Sequence, residues 1–346
     1  MASPSALADP TALRACWHPV AYAVDVTAGA PRGTELLGEP IVLWRDRSGT
    51  VRALHDICLH RGTALSLGTV DGDEIICPYH AWRYGTDGVC TRIPQLADRS
   101  RVPAKARVAA FAAVERWGVV WVALEQPRYD LPAVPELDRD GWQLIRCGPY
   151  DWACDSSRQV ENFTDFGHFP WVHPGLLGDP SRPVVPPHEV RTDGHVLHYA
   201  IVRPEAQNSD EFPVFANADD LAPERRSRYE LHLPYTIVLR LGWGGAAGMI
   251  YLFACQPLAA DRTRGYLVIG RNYDHDQPVR VLQEFEDVIF DQDRAVVESQ
   301  RPERVPFDLA DELHLKFDAV AVAYRRAMSE QGLGVESGRF GTSTRT

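Results

Sequence analysis

Two short pairs of potential metal ligands, sixteen residues apart, constrain this chain more than any other feature. The pairs are Cys58 with His60 and Cys77 with His80, which give the pattern C-x-H-x16-C-x2-H. Two thiolates can hold one iron of a [2Fe–2S] cluster while two imidazoles hold the other. The imidazoles raise the reduction potential above that of a cluster held by four thiolates. The same four side chains also suit tetrahedral zinc, but the C-x-H half differs from the usual spacing of zinc fingers. The pattern therefore favours an iron–sulfur cluster that passes on single electrons.

The sequences around these ligands resemble the Rieske proteins. The first pair lies in CLHRG and the second in CPYHAW, and the His-Arg-Gly segment resembles the oxygenase branch in particular. Rieske proteins of respiratory chains carry one additional cysteine in each cluster loop, and these two cysteines form a disulfide. This chain has Thr63 and Tyr79 at those positions. The resemblance therefore implies the lower-potential cluster of oxygenases that are fed by NAD(P)H.

Length, charge and cysteine usage limit the remaining possibilities. The 346 residues suggest roughly two domains. A formal net charge of −11 argues against a nucleic-acid partner. Met1–Pro10 lacks the basic start and apolar core of a signal peptide, and no apolar run is long enough to span a membrane. Seven cysteines without a disulfide framework fit a reducing compartment. We therefore expect a soluble, cytoplasmic protein without a membrane partner.

Turn signals and short apolar runs predict β-structure around the cluster pattern. Two hairpins are predicted, over residues 40–54 and 111–124, and the proline-rich segment Pro127–Pro135 follows as a linker. The predicted organisation is a Rieske [2Fe–2S] domain over 1–128, a catalytic domain over 129–332 and a flexible tail over 333–346.

A second motif opens the predicted catalytic domain. It has the pattern N-x2-D-x2-H-x4-H and consists of Asn162, Asp165, His168 and His173. Two imidazoles and one carboxylate form a triad that leaves positions on Fe(II) open for water and dioxygen. On one straight helix the two histidines would point about 140° apart. We predict that Pro170 turns the chain after Phe169 and brings His173 back. Two histidines with structural roles near a helix end are the alternative.

Together the two motifs resemble the Rieske non-haem iron oxygenases over essentially residues 15–330. In that family the cluster and the iron of one chain are too far apart for electron transfer, and a head-to-tail homotrimer brings one subunit's cluster to its neighbour's iron. The resemblance implies that Asp165 bridges His80 of one chain to His168 of another. It also implies that Asn162 lies near the iron without binding it strongly.

The family supplies the carboxylate ligand from a distant C-terminal helix, which apolar periodicity predicts over Pro278–Glu298. The apolar stripe of this helix consists of Leu282, Phe285, Ile289 and Val296. At 100° per residue Asp293 lies about 40° from Ile289, inside the stripe, whereas Asp287 and Asp291 face solvent. A carboxylate on a buried face needs a partner or a metal. Asp293 is therefore the predicted ligand, with Glu286 as the reserve.

The rest of the catalytic domain predicts an α+β fold, in which a curved antiparallel sheet grips the long C-terminal helix. Strands are predicted over Val196–Arg203, Tyr229–Trp243, Gly248–Leu258 and Gly265–Tyr273, and a further helix over Ala310–Met328. The concave face of this sheet is the expected substrate pocket. Its candidate lining residues are Tyr235, Trp243, Tyr251 and Phe253, although a core position is the stronger expectation for each.

These observations predict the terminal oxygenase of a Rieske system. The resemblance implies a separate NAD(P)H-dependent reductase, possibly with a ferredoxin, and a small aromatic or cyclic substrate that is hydroxylated or dealkylated with dioxygen. The chain length is similar to that of the homotrimeric vanillate- and dicamba-demethylating enzymes, which have no β subunit. The alternative is a Rieske electron carrier fused to a ligand-binding domain, for which a second iron triad has no use.

Overall fold

A computed structural model describes residues 11–98, 101–204, 224–243 and 245–334. The chain divides into two compact units, the first ending at Leu131 and the second beginning at Pro132. Residues 335–346, most of the predicted tail, lie outside the described residues. Leu333, at the start of that tail, is buried, and its amide donates a hydrogen bond to the carbonyl of Met328.

Among its described residues, the first unit contains two antiparallel sheets and one short α-helix, α1 (Thr11–Arg14). Its strands are β1 (His18–Tyr22), β2 (Arg32–Leu36), β3 (Glu39–Arg45), β4 (Val51–His55), β5 (Thr69–Asp71), β6 (Glu74–Ile76), β7 (Arg83–Tyr84), β8 (Cys90–Arg92), β9 (Ala110–Arg116) and β10 (Val119–Ala123). The larger sheet has the order β1-β10-β9-β4-β3-β2, and the smaller one runs β5-β6-β7-β8. Both predicted hairpins are confirmed, as β3–β4 and β9–β10.

The core of this unit places the cluster loops. The apolar sequence of β10 is buried along its whole length, which anchors the larger sheet. Trp44 and Leu54 from the larger sheet and Tyr84 from the smaller one share a single cluster of buried residues with Cys58 and Cys77. Both cysteines are therefore held in a dry core, each at the start of a surface loop.

The second unit is a seven-stranded antiparallel sheet with four helices among the described residues, so the predicted α+β class is confirmed. Its strands, in chain order, are β11 (Gln143–Trp152), β12 (Val190–Asp193), β13 (Val196–Pro204), β14 (Glu224–His232), β15 (Thr236–Gly242), β16 (Gly248–Ala259) and β17 (Arg262–Arg271). The sheet order is β11-β17-β16-β15-β14-β13-β12. Its helices are α2 (Ser156–Thr164), α3 (Phe169–Val172), α4 (Val279–Val297) and α5 (Ala319–Glu330). Helix α2 packs against β16 and β17, and α4 packs against β11.

Several predicted boundaries in this unit are wrong. The single strand predicted over Tyr229–Trp243 is a hairpin of β14 and β15, because Pro234 cannot donate a ladder hydrogen bond and lies in the turn. The edge strands β11 and β12 were not predicted. The helix predicted over Ala310–Met328 begins only at Ala319, because Leu313 and Leu315 before it are exposed and contribute no apolar face.

Helix α4 matches its prediction within one residue at each end, but its buried face is rotated. Val296, assigned to the apolar stripe, is 46% exposed, while its neighbour Val297 is buried. The buried face is centred nearer to Glu286 and Asp293 than to Ile289, so it contains two acidic side chains. No helix among the described residues is long and apolar enough to cross a membrane.

Candidate metal centres

The two cluster loops have the same backbone construction. In the first, the amide of Cys58 donates to the carbonyl of Thr63, and the amide of Gly62 donates back to the carbonyl of Cys58. In the second loop, the amide of Cys77 donates to the carbonyl of Trp82, and the amide of Ala81 donates to the carbonyl of Cys77. The residue four positions after each cysteine has a positive φ, 71° at Gly62 and 56° at Ala81. Each loop therefore closes on its own cysteine and presents its histidine in an equivalent way.

The four predicted cluster ligands converge in pairs. The Nδ1 atoms of His60 and His80 lie 3.2 Å apart, and the indole of Trp82 stacks on the His60 ring at 4.6 Å. The thiols of Cys58 and Cys77 lie within hydrogen-bonding reach of each other. The two cysteines are buried and the two histidines are partly exposed, which fits a cluster with differently ligated irons.

Protonation at these loops also suits such a cluster. Desolvation, and then the neighbouring His80 and Arg61, lower the pKa of His60, so the neutral imidazole that a metal requires is favoured. Burial, together with the adjacent Cys58 thiol, raises the pKa of Cys77. Two adjacent thiolates in this core therefore require a bound cation. The hydroxyl of Tyr84, which the sequence analysis missed, lies 3.2 Å from the Cys58 sulfur and can donate to it.

The second motif lies where α2 ends and α3 begins. Asp155 caps α2 by accepting from the amide of Ser157, and the helix ends at Thr164. Asp165 then turns the chain by accepting from the amide of Gly167 at 2.8 Å. The prediction that Pro170 turns the chain after Phe169 is wrong, because both residues lie in the first turn of α3, where the missing N–H of Pro170 costs nothing.

The break between the helices brings three predicted ligands together. Asp293 Oδ1 lies 2.9 Å from His173 Nε2 and 3.4 Å from His168 Nε2. His173 is fully buried, and Asp293 is 7% exposed. None of these three atoms makes a well-aligned hydrogen bond to a described residue, although all three converge on one point. Buried polar atoms that face one another without partners fit a metal ion held between them.

The other nitrogen of each imidazole is held by a different side chain. His168 Nδ1 donates to Asp165 Oδ2 at 3.0 Å, and His173 Nδ1 donates to Gln292 Oε1 at 2.7 Å. These bonds leave both Nε2 lone pairs directed at the metal position. Burial is the largest single influence on the pKa of Asp165 and acts to raise it, but the hydrogen bonds and charge interaction with His168, together with the bond from the amide of Gly167, lower the net pKa. Gln292 was missed, since nothing in the periodicity of α4 distinguishes it.

The other acidic residues of α4 do not join this group. Asp287 and Asp291 are exposed, as their helical phase indicates. Asp287 accepts a hydrogen bond from the hydroxyl of Tyr150 at 3.0 Å. Glu286, the reserve ligand, is 4% exposed, but its Oε1 accepts from the Tyr251 hydroxyl at 3.0 Å instead of facing the histidines.

A cavity of about 80 Å³ adjoins the histidine–aspartate group. Aromatic and aliphatic side chains from the sheet and α4 form most of its lining, and Asn162 contributes an amide. Among the four candidate lining residues, Tyr251 is part of the cavity wall. Tyr235, Trp243 and Phe253 are core residues outside that wall. Arg203 and Arg225, which the sequence analysis missed, are the basic residues of the lining.

A second, wider cavity of about 440 Å³ reaches the same group from the α5 side. Asp165 and His168 line it together with residues that precede α5. Two of these, Leu313 and Phe317, are exposed. The histidine–aspartate group can therefore be approached through two different cavities of the second unit.

Comparison with known proteins agrees with this geometry. Residues 16–112 match the Rieske [2Fe-2S] domain, and residues 152–332 match the vanillate O-demethylase oxygenase C-terminal domain. The methylxanthine N1-demethylase NdmA of Pseudomonas putida is 31% identical over 92% of this chain and 89% of its own length. The methylxanthine N3-demethylase NdmB of the same organism is 32% identical over 96% of this chain and 93% of its own length.

Solved structures give the same result. Pseudomonas putida CBB5 NdmA with caffeine superposes with a TM-score of 0.82 at 27% identity, covering 95% of this chain and 98% of that one. Dicamba monooxygenase bound to dicamba superposes with a TM-score of 0.79 at 22% identity, covering 92% of this chain and 97% of that one. This similarity shows that the two chains share a fold.

Proposed function

The chain belongs to the Rieske oxygenase family, and from this premise we propose that it demethylates a small cyclic substrate with electrons from a separate NAD(P)H-dependent reductase. It is an oxidoreductase of the monooxygenase type that contains a Rieske [2Fe–2S] cluster and a mononuclear non-haem iron. The buried convergence of His168, His173 and Asp293 beside a cavity is the observation that carries the proposal.

The proposal assigns the metal ligands to the two groups of side chains described above. Cys58 and Cys77 hold one iron of the cluster, and His60 and His80 hold the other. A second group of ligands, His168, His173 and Asp293, holds the mononuclear iron. When bound, the cluster supplies single electrons and the mononuclear iron activates dioxygen. Asn162 lines the cavity beside this iron and contributes a polar contact there, without serving as a ligand.

Electron transfer between the two sites is assigned to a homotrimer. Leu59 and Tyr79, each next to a cluster histidine, are 53% and 64% exposed, as expected for residues that a neighbouring subunit covers. The wide cavity that Asp165 and His168 line is bordered by exposed Leu313. Asp165 already accepts from His168 Nδ1, and its carboxylate, 43% exposed, can accept from a neighbour's His80 as well. Sedimentation at three times the chain mass of 38.6 kDa tests this assembly.

The proposed reaction balances with two electrons from the reductase. One oxygen atom enters a C–H bond of an N- or O-methyl group, and the other leaves as water with two protons. The hydroxymethyl product then breaks its C–N or C–O bond and releases formaldehyde. NdmA and NdmB, which match nearly the whole chain, are named as N-demethylases, and this supports methyl removal over ring hydroxylation.

Counting iron and products tests the proposal. The oxygenase requires about three iron atoms per chain, whereas a Rieske electron carrier fused to a ligand-binding domain requires about two. With a reductase and NADH, caffeine, vanillate and dicamba serve as first probes for oxygen uptake and formaldehyde release. About two irons per chain in a fully loaded protein would favour the carrier.

A further inference from the structure

A buried glutamine of α2 lines the cavity beside the histidine–aspartate group, and the metal site does not use it. Gln159 lies one helical turn before Asn162, and both side chains are part of the cavity wall. Gln159 is 1% exposed. Helix α2 ends at Thr164 and His168 follows, so Gln159 lies about 4.5 Å further from that end than Asn162 does. The two amides therefore follow one another along the cavity, with Gln159 further from the metal ligands.

Two neighbours hold the amide group of Gln159 in place. The Cys255 thiol donates a hydrogen bond to Gln159 Oε1, with 3.2 Å between sulfur and oxygen. Burial raises the pKa of this thiol well above its ordinary value, so the thiol keeps the proton that it donates. Gly265 in β17 leaves room for the amide, since a Cβ added there would lie 3.0 Å from Gln159 Nε2 and 3.2 Å from Oε1. The amide is therefore held against the sheet with its oxygen already used.

The nitrogen of the same amide has no acceptor. Gln159 Nε2 is buried and makes no hydrogen bond to any described residue. An amide nitrogen carries two donors, and a buried donor without an acceptor costs free energy of folding. A methionine has nearly the same shape and would avoid this cost. An unmet donor that is fixed in the wall of a cavity fits a site where a bound molecule supplies the acceptor.

The charged side chains of the cavity wall favour the same kind of ligand. Glu286 already accepts a hydrogen bond, from the hydroxyl of Tyr251 at 3.0 Å. Arg203 and Arg225 also line the cavity, and a guanidinium carries donors only. A ligand with acceptor atoms therefore meets donors from α2 and from the sheet, whereas a ligand without them leaves Gln159 Nε2 unsatisfied.

We propose that Gln159 is a specificity-determining residue that donates its amide N–H to a hydrogen-bond acceptor of the substrate ring and so holds the ring while a methyl group faces the iron. This rests on the proposed function in taking the cavity as the substrate site. The acceptor is a carbonyl oxygen or ring nitrogen of a heterocycle, or the carboxylate of an aryl acid. A methylated hydrocarbon ring that has no such atom is selected against, because it leaves the buried donor unpaired.

Binding to the iron-loaded enzyme under anaerobic conditions tests this role. Caffeine offers carbonyl oxygens and a ring nitrogen, and vanillate offers a carboxylate, so the two probes distinguish the sources of the acceptor. Gln159→Met keeps the length of the side chain without a donor and should weaken the binding of at least one probe roughly tenfold by calorimetry. In Cys255→Ser a hydroxyl replaces the thiol that holds the amide, so binding should stay within about threefold of the wild type.

Gln283→Met is the matched control and should leave the binding of both probes unchanged. Gln283 lies on α4, its amide donates to the carbonyl of Arg146, and it belongs to the described lining of neither cavity. In turnover, Gln159→Met should raise KM more than it lowers kcat, a division that a general folding defect would not produce. Its iron content should stay at about three atoms per chain, because Gln159 is not a ligand.

Equal binding of both probes by the wild type and Gln159→Met overturns the proposal. Failure of both probes to bind the wild type also overturns it. So does a crystal structure of a probe complex in which Gln159 Nε2 contacts only a water molecule. Full iron with formaldehyde release by Gln159→Met at the KM of the wild type would leave the proposed function standing while this inference fell.

Discussion

The cluster loops and the histidine–aspartate group hold their ligands in opposite ways. Each cluster loop closes its own backbone hydrogen bonds around one cysteine, so the geometry of that site is largely local. The other site joins α3 to α4, and 119 residues separate His173 from the Gln292 that orients it. It forms only when the whole second unit has folded. The geometry of the cluster loops therefore depends on turns within each loop, whereas the geometry of the histidine–aspartate group depends on tertiary packing.

The two sites also differ in solvent exposure. The side chains next to the cluster histidines, Leu59 and Tyr79, are more than half exposed. His173 is fully buried and Asp293 nearly so. An exposed cluster edge suits exchange of electrons with another protein surface, whereas a buried metal site with its own cavity excludes water and admits small molecules. The two regions are therefore suited to different kinds of partner.

The largest expected effect is loss of the cluster. We predict that Cys58→Ser or His80→Ala abolishes the visible Rieske absorption and all turnover, because either change removes a ligand from a site in which four side chains share two irons. Absorption spectra and oxygen uptake measure both. Cys16→Ala, a buried cysteine of the same unit outside the loops, is the control and should keep the cluster spectrum. A normal spectrum in Cys58→Ser contradicts the assignment.

The next largest effect is loss of the mononuclear iron without loss of the cluster. Asp293→Ala should lower iron from about three atoms to about two per chain and abolish turnover, with the cluster spectrum unchanged. His168→Ala and His173→Ala should do the same. Asp291→Ala is the matched control, because Asp291 is exposed two residues away, and its free energy of unfolding should stay within about 0.5 kcal/mol. Full iron in Asp293→Ala would show that another carboxylate, such as Glu286 or Asp287, binds the metal.

The contrast between local and distant sites also explains what the sequence could predict. Both cluster pairs follow from spacing alone, because each loop is complete within a few residues. Asp293 required an argument from helical phase, and the same phase misplaced Val296, since the buried face of α4 depends on what packs against it. The sequence predicts a turn after Phe169 because of Pro170, whereas the side chain of Asp165 turns the chain earlier, before His168. Gln292 and the bond from Tyr251 to Glu286 depend on tertiary contacts that no local pattern encodes.

A smaller effect concerns communication between the sites. Asp165→Asn should keep both metals but slow electron transfer from cluster to iron at least tenfold, because the amide weakens the acceptor shared by the two imidazoles. Reoxidation of the pre-reduced cluster with caffeine and dioxygen in a single turnover measures this rate. Asp179→Asn, at an exposed aspartate beyond α3, is the control. Reoxidation of Asp165→Asn at the wild-type rate removes this residue from the electron path.

The smallest effect compares the two cluster loops with each other. Gly62 and Ala81 occupy equivalent left-handed positions, but alanine carries a Cβ that this conformation disfavours by about 1–2 kcal/mol. Ala81→Gly should therefore raise the free energy of unfolding of the holoprotein slightly, by up to about 1 kcal/mol, since glycine also costs entropy. Gly62→Ala should lower it by about 1 kcal/mol, although no atom lies within 4 Å of the added Cβ, because the strain comes from φ alone. Chemical denaturation measures both changes, and changes of the same sign would mean that the two loops are not equivalent.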